Sequence, residues 1–327
     1  MDFKNNIIYQ MIEYDKTNEN LVKGMFDYIQ DVNKIRFNTL NNEIEKPYLN
    51  NEDPRTIEET KIIKTNEIGM NLKKEPLLRI GGCIRELYFK ITGTISEDRQ
   101  LSEIESIERN ELIKKQWIDK IRYTGLTIEE EHKILNYGSV KFKSTEDLII
   151  YDPIEDREYG LLIKPVNDTA TTVRNQIWNN YNSQPMDIHI PEICLNMFIL
   201  KRPVKVLYVG KNNSEMIKEF NFGVDSNMLT LNKEKYFKNI NIYDVVEDMK
   251  NIDHAIEKSL IPPRSFLKKE LDREEVDLLY DNKFINYMDC DRYLNGEVYE
   301  SFRCKSCRYN QLCNSLNTGW VNVNESY

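Results

Sequence analysis

Apolar positions recur at helical spacing over residues 102–123, and this spacing predicts an amphipathic helix. The recurring positions are Ile104, Ile107, Leu112, Ile113, Trp117 and Ile121. Thr124 and Gly125 end this run with turn-forming residues. Three apolar, β-rich runs follow, at about 127–136, 139–151 and 158–166. The first half of the chain therefore predicts one long helix followed by three strands.

A second apolar helix is predicted over 190–201, after a long polar segment at 167–189. The continuous apolar run at 204–210 predicts a buried strand, and the remainder of the chain predicts helices, most clearly over 242–259. A helix, a three-stranded meander, a crossover helix and a further strand make an α/β core with a mixed sheet flanked by helices. No internal repeat is evident.

Residues 1–80 are predicted to form a helical N-terminal extension with a polar connection around 46–66, where Pro47 and Pro54 interrupt the periodicity. Residues 81–327 are predicted to form one domain that ends in a helical, cysteine-bearing region. The extension matches no pattern that we can name, and we consider it a candidate surface for a protein partner.

Composition and charge narrow the class of protein. The 327 residues carry 45 Lys and Arg against 54 Asp and Glu, a net charge of −9, and 40% are hydrophobic. This balance excludes collagen-like and fully disordered chains and disfavours a protein that coats polyanions, although it leaves room for a local basic groove. No apolar run of about 18 residues occurs, and the N-terminus lacks an apolar signal core. We therefore expect no membrane partner and a location in the cytoplasm. The abundance of Asn, Ile, Lys and Glu is typical of AT-rich genomes, such as those of many viruses and of mobile elements of low-GC bacteria, so the cytoplasm is expected to be that of a bacterial host cell.

Three of the six cysteines are concentrated near the C-terminus. Cys304, Cys307 and Cys313 form a C-x2-C-x5-C array, and the two-residue spacing lets two thiolates face one metal centre. An array of three needs a fourth ligand from elsewhere in the chain, for which Cys290 is one candidate. Cys194 lies in an apolar helical run and is expected in the core. Ligand type alone leaves both zinc and an iron–sulfur cluster open.

The order of elements and the cysteines resemble the PD-(D/E)XK nucleases of the RecB-like branch, which includes CRISPR-associated exonucleases and phage homologues. In the iron–sulfur members, one Cys precedes the nuclease core and three follow it. Cys83, in a segment that continues with Arg85 and Tyr88, is similar to the leading Cys of that family. The resemblance covers roughly residues 80–320 and implies a restriction-endonuclease-like core, a 4Fe-4S cluster on Cys83, Cys304, Cys307 and Cys313, and DNA as the partner, as single strands or ends.

The same resemblance implies positions for the catalytic groups. The family places an acid on its second strand and an acid-x-Lys on its third, where two carboxylates hold Mg²⁺ or Mn²⁺ and the Lys stabilises developing charge. Asp147 matches the first acid and Lys164 the lysine. The remaining acid position holds Leu162. The Gln and Tyr of the family's following helix correspond to Glu192 and Asn196.

These departures leave three hypotheses. We favour a nuclease fold that keeps its cluster and binds DNA in viral or mobile-element DNA metabolism, with cleavage lost or impaired because the strand acid is Leu162. An active exonuclease, in which Glu192 replaces the missing acid and holds the metal ion with Asp147, is the first alternative. A non-catalytic structural or interaction subunit is the second. The sequence contains no G-x-S-x-G, P-loop or dinucleotide fingerprint, which argues against those enzyme classes.

Overall fold

The structure is a computed structural model that describes residues 62–94, 96, 101–128, 132–179 and 183–322. Most of the predicted N-terminal extension, residues 1–61, lies outside the described residues. The nine α-helices of the described ranges are α1 Ile84–Ile91, α2 Leu101–Arg122, α3 Thr171–Ile177, α4 Ile190–Leu200, α5 Val245–Lys258, α6 Arg273–Asp281, α7 Tyr287–Leu294, α8 Phe302–Lys305 and α9 Asn310–Ser315.

Sixteen short strands accompany these helices in the described part of the chain. The first eight, β1 to β8, are Ile62–Lys64, Gly69–Asn71, Arg79–Gly81, Thr127–Ile128, Ile134–Tyr137, Val140–Lys143, Leu148–Asp152 and Arg157–Val166. The last eight, β9 to β16, are Val204–Gly210, Ile217–Asp225, Met228–Leu231, Glu234–Lys235, Leu260–Ile261, Lys268–Lys269, Tyr299–Glu300 and Val321–Asn322.

A seven-stranded mixed sheet forms the centre of the fold, in the order β12-β11-β10-β9-β8-β7-β4. The pair β8–β9 is parallel, and the other pairs are antiparallel. Helix α4 connects β8 to β9, because a parallel pair needs a crossover connection. The mixed α/β architecture predicted from the sequence is therefore confirmed.

Helices cover both faces of this sheet, and the alternation of side chains along β8 separates the two layers. On one face, Leu161 and Ile163 pack with Trp117 and Ile121 of α2. On the other face, Leu162 is fully buried in the larger core that α4 and α5 complete. This burial on both faces explains why β8 is continuously apolar from Tyr159 to Ile163.

The predicted three-strand meander is wrong in detail. The run at 139–151 is divided between β6 and β7, which belong to different sheets, and the run at 127–136 is likewise divided between β4 and β5. Strands β1, β6 and β5 make a separate three-stranded sheet, in which β1 and β6 are parallel. The polar segment 144–147 causes the break, because it carries the chain from the small sheet to the large one.

Two further expectations are corrected by the described residues. The stretch 217–235, which was expected to be helical, forms β10, β11 and β12, and the buried Phe220 and Phe222 alternate with more exposed residues as in a strand. Residues 62–80 form β1, β2, β3 and three 3₁₀ turns instead of α-helices. These strands bury Ile63, Met70 and Ile80 in the main core, so this part of the chain is an integral component of the fold.

Two buried arginines connect distant parts of the chain. Arg79 forms an ion pair with Asp248 of α5 and donates to the Gly82 carbonyl, which fixes β3 against that helix. Arg85, which is fully buried on α1, donates to the carbonyls of Pro262, Asn317 and Gly319 at 2.6, 2.9 and 2.8 Å. The C-terminal cysteine segment is thereby held against α1. None of the described helices is long and apolar enough to cross a membrane.

Candidate functional site

Four charged side chains meet where β7 begins, beside the carboxyl-terminal half of β8. We call them the carboxylate–lysine cluster: Lys114 of α2, Asp147, Lys164 of β8 and Glu192 of α4. The structure therefore brings together the three catalytic residues that the sequence analysis predicted. Lys114 was not predicted.

Lys164 and Glu192 form a nearly buried ion pair. The Lys164 ammonium nitrogen lies 2.6 Å from one Glu192 carboxylate oxygen, and the two side chains are 12% and 5% exposed. The Thr145 hydroxyl donates to the other Glu192 oxygen at 2.9 Å. Burial alone would raise the pKa of Glu192, but the charge of Lys164 and these hydrogen bonds outweigh it and lower the pKa. Glu192 is therefore held as a carboxylate.

Asp147 completes the hydrogen bonding of the central sheet. Strand β7 begins at Leu148, opposite Leu161, so no β7 residue is left to accept from the Ile163 backbone N–H. An Asp147 oxygen accepts from that N–H at 2.6 Å, and the other oxygen lies 3.3 Å from the Lys114 ammonium nitrogen. Burial raises the pKa of Asp147, while Lys114 and the Ile163 N–H oppose the rise.

Lys114 supplies the second positive charge of the cluster. Burial would lower the pKa of Lys114, but the negative charges of Asp147, Glu111 and Glu192 outweigh it and raise the pKa. Position 114 lies on the helix face of Trp117 and Ile121, at i, i+3 and i+7. A lysine on the sheet-facing side of an amphipathic helix was the sequence signal that could have identified it.

Asn196 and Glu192 together fix the segment that precedes Asp147. The Asn196 side-chain oxygen accepts from the Thr145 backbone N–H at 2.8 Å, and its amide donates to the Thr65 hydroxyl at 2.9 Å. Thr145 is thereby held by two residues of the same helix, one turn apart. The position of the expected strand acid, Leu162, contributes only apolar surface to the core.

A neutral histidine lies next to this cluster. His189 Nδ1 is 2.8 Å from the Tyr208 hydroxyl oxygen. The same hydroxyl oxygen accepts from the Met186 backbone N–H at 3.0 Å. Burial, followed by the charge of Lys164, lowers the pKa of His189 to about 3. The imidazole is therefore uncharged near neutral pH, and its Nδ1 can accept from Tyr208.

A second site is formed by cysteines from both ends of the described chain. One cavity is lined by Cys83 just before α1, Cys304 of α8, Cys307 between α8 and α9, and Cys313 of α9. Burial, followed by the neighbouring sulfurs, raises the pKa of Cys304 to about 12. The Arg85 guanidinium approaches the Cys313 sulfur at 3.7 Å.

The other two cysteines lie apart from this cavity. Cys194 is fully buried in α4, as expected for a core residue. Cys290 lies on α7, where its thiol donates to the Asn286 carbonyl, and it does not line the cavity. Cys83 is therefore better placed than Cys290 as the fourth member of the C-terminal array.

The four cysteine thiols of this cavity indicate which kind of metal group it could hold. Within the described residues, no group of three or more His, Cys, Asp or Glu side chains is arranged to hold a single metal ion. One zinc ion bound at about 2.3 Å requires sulfurs about 3.8 Å apart. A four-iron cluster is a larger body whose four thiolates stand farther apart. Four thiols around one cavity fit the donor set of such a cluster.

Comparisons with known proteins leave the family open. No protein-family model matches the chain, and no curated protein matches it. Among solved structures, one titled "Crystal structure of SSO0001" aligns at 10% sequence identity with a TM-score of 0.33, covering 70% of this chain and 83% of the other. A likeness at this level carries no argument about function.

Proposed function

We propose that this chain is an iron–sulfur protein with a RecB-like PD-(D/E)XK nuclease fold that binds DNA, with cleavage lost or impaired. The order α2, β4, β7, β8, α4, β9 supports the fold. It is the helix, meander, crossover helix and strand that the resemblance implies, with β5 and β6 inserted as a separate sheet. The polar cluster at β7, β8 and α4 lies where the resemblance places a nuclease site.

One observation carries the loss of cleavage: the carboxylate–lysine cluster is neutralised by its own residues. Its two carboxylates, Asp147 and Glu192, each lie within 3.3 Å of a lysine ammonium nitrogen. A divalent cation held by the same carboxylates would have to compete with these ammonium groups. Mg²⁺ is usually held by only one or two protein carboxylates, and Leu162 offers no replacement.

The iron–sulfur part of the proposal rests on the four-cysteine cavity. Cys83, Cys304, Cys307 and Cys313 would hold the cluster, which would supply a covalent connection between α1 and the C-terminal segment. Zinc remains the alternative metal. In this proposal the chain's own residues bind DNA, and this binding needs no redox step.

An active exonuclease is a second candidate, favoured by the meeting of Asp147, Lys164 and Glu192 in one cluster. In that case Glu192 would take over from the missing strand acid and, with Asp147, hold Mg²⁺ or Mn²⁺. Its ion pair with Lys164 would have to open for the metal to bind.

Both candidates are tested on the anaerobically purified chain with end-labelled single strands and duplexes, in Mg²⁺ and in Mn²⁺. The proposal predicts binding that weakens as salt rises, with the DNA left intact. Degradation that disappears in both Asp147→Ala and Glu192→Ala would establish the exonuclease instead. No binding at low salt would overturn both candidates.

A further inference from the structure

The small sheet β1-β6-β5 exposes one face on which lysines predominate among the charged residues. We call it the lysine face, and it consists of Ile62, Lys64, Ile134, Asn136, Lys141 and Lys143. Side chains alternate along each strand, so the intervening Ile63, Val140 and Phe142 point into the core, where they are buried. Three positive charges and no carboxylate occupy this face.

The register of the parallel pair makes the arrangement costly for the free protein. Lys64 lies directly opposite Lys143, and Lys141 is two residues from Lys143 on the same strand. Neighbouring strands lie about 4.8 Å apart, and residues i and i+2 about 6.7 Å apart. Like charges directly opposite each other in a sheet are destabilising. If this face contributed only to stability, we would expect an acidic residue at one of these positions, where it would relieve the repulsion.

Two structural roles that surface lysines often have do not explain Lys64, Lys141 and Lys143. Lysines often protect the edge strands of sheets, but Lys141 and Lys143 lie on β6, the central strand of the three. Surface lysines also commonly pair with acids. Among the described residues, no carboxylate pairs with the side chain of Lys64, Lys141 or Lys143. Glu67, three residues after Lys64, accepts from the Lys64 backbone N–H and pairs with Lys90, and Glu146, three residues after Lys143, lies 3.3 Å from His132 Nδ1.

The lysine face adjoins the carboxylate–lysine cluster. Strands β1 and β6 end at Lys64 and Lys143, and Thr65 and Thr145, which follow them, are hydrogen-bonded to each other. Thr145 in turn donates to Glu192. A strand of nucleic acid lying along the exposed face would therefore pass the edge of the candidate site.

We infer that the lysine face binds the phosphodiester backbone of single-stranded DNA beside the carboxylate–lysine cluster. Three lysines whose backbone positions lie within about 8 Å of one another suit consecutive phosphates. Ile134, which is 50% exposed, and Ile62 provide apolar contacts between the charges. The inference rests on the proposed DNA binding and identifies the surface that performs it.

The test compares two triple variants in a salt titration of binding to a fluorescent single-stranded oligonucleotide. The face variant is Lys64→Gln, Lys141→Gln and Lys143→Gln, and the matched control is Lys235→Gln, Lys250→Gln and Lys283→Gln. The control lysines are exposed on β12, on α5 and on the turn after α6, and none of them lies on a strand of the lysine face. Urea unfolding of the same samples verifies the fold, and removing a like-charge pair should leave the face variant at least as stable as the parent chain.

The face variant is expected to bind about 100-fold more weakly at 0.1 M salt, because three phosphate contacts contribute about 0.7 each to the salt slope. The slope of log K against log salt should decrease by about 2, while the control variant should retain the parental slope. Parental affinity and slope in the face variant would overturn this inference and leave the proposed DNA binding intact. Failure of the parent chain to bind would overturn both.

Discussion

The Lys164 ammonium nitrogen lies 2.6 Å from a Glu192 carboxylate oxygen, and both side chains are almost completely buried. The pair joins the carboxyl-terminal half of β8 to the start of the following helix. Removing one member of a buried ion pair is far more costly than replacing both, because the remaining charge has no partner.

Glu192→Gln is therefore expected to lower the free energy of unfolding by about 3 kcal/mol, measured by urea denaturation. The double variant Lys164→Met, Glu192→Leu should recover most of this loss. Glu257→Gln is the matched control, since its partner Lys258 is 53% exposed and such surface pairs contribute about 0–1 kcal/mol. Equal losses in the Glu192 and Glu257 variants would contradict the structural assignment of the pair.

His189 predicts a pH dependence of stability. Its pKa is lowered from 6.5 to about 3 in the folded chain by burial and by Lys164, so the unfolded chain binds a proton that the folded chain does not. Stability is therefore expected to fall as pH decreases from 6.5 toward 3, by about 1.4 kcal/mol per pH unit from this residue. Urea midpoints between pH 7 and 4 should decrease less steeply in His189→Gln than in the parent chain.

The matched control for this prediction is His254→Gln, because His254 lies away from the cluster, against the ring of Trp320. It should retain the parental loss of stability in acid. If His189→Gln instead follows the same pH curve as the parent, the histidine is not buried as a neutral group.

The sequence predicted helices and strands correctly where one apolar run forms a single element in one layer of the fold. The helix predicted at 102–123 and the strand predicted at 204–210 are confirmed as α2 and β9. The run at 139–151 was misjudged because periodicity does not show where a chain leaves one sheet for another. The strands at 217–235 were missed, although Phe220 and Phe222 alternate with polar residues.

The candidate site was predictable only in part. The resemblance identified Asp147, Lys164 and Glu192, and the structure brings them together. Lys114 was missed because its partner Asp147 is distant in sequence, and their contact depends on how α2 packs against the sheet. The hydrogen bond from the Ile163 backbone N–H to Asp147 could also not be predicted from the sequence, because it depends on where β7 begins relative to β8.

The cysteines give a prediction about the proposed cluster. Cys304→Ala and Cys307→Ala are expected to remove iron, acid-labile sulfide and visible absorbance from the anaerobically purified chain, because both thiols line the shared cavity. Cys290→Ala should retain them, since Cys290 lies outside that cavity on α7. Zinc at one equivalent in the parent chain, without iron, would contradict the iron–sulfur assignment.

Arg85 is expected to fix the C-terminal segment against α1. Arg85→Lys removes the guanidinium fork that donates to the carbonyls of Pro262, Asn317 and Gly319 and approaches the Cys313 sulfur. Hydrogen bonds from a charged donor contribute about 1.5–3 kcal/mol each. The variant should unfold at a lower urea concentration and become sensitive to proteolysis near 317–319. Arg174→Lys, at an exposed position of α3, should match the parent chain in both measurements.

The most direct test measures binding and cleavage on one anaerobic sample, with an end-labelled single strand in Mn²⁺ over a range of salt concentrations. We predict salt-dependent binding with the strand left at full length, because Lys114 and Lys164 neutralise the two carboxylates that a metal ion would need. Degradation of the strand that Asp147→Ala abolishes would contradict the loss of cleavage. A complete absence of binding at low salt would contradict the proposed function itself.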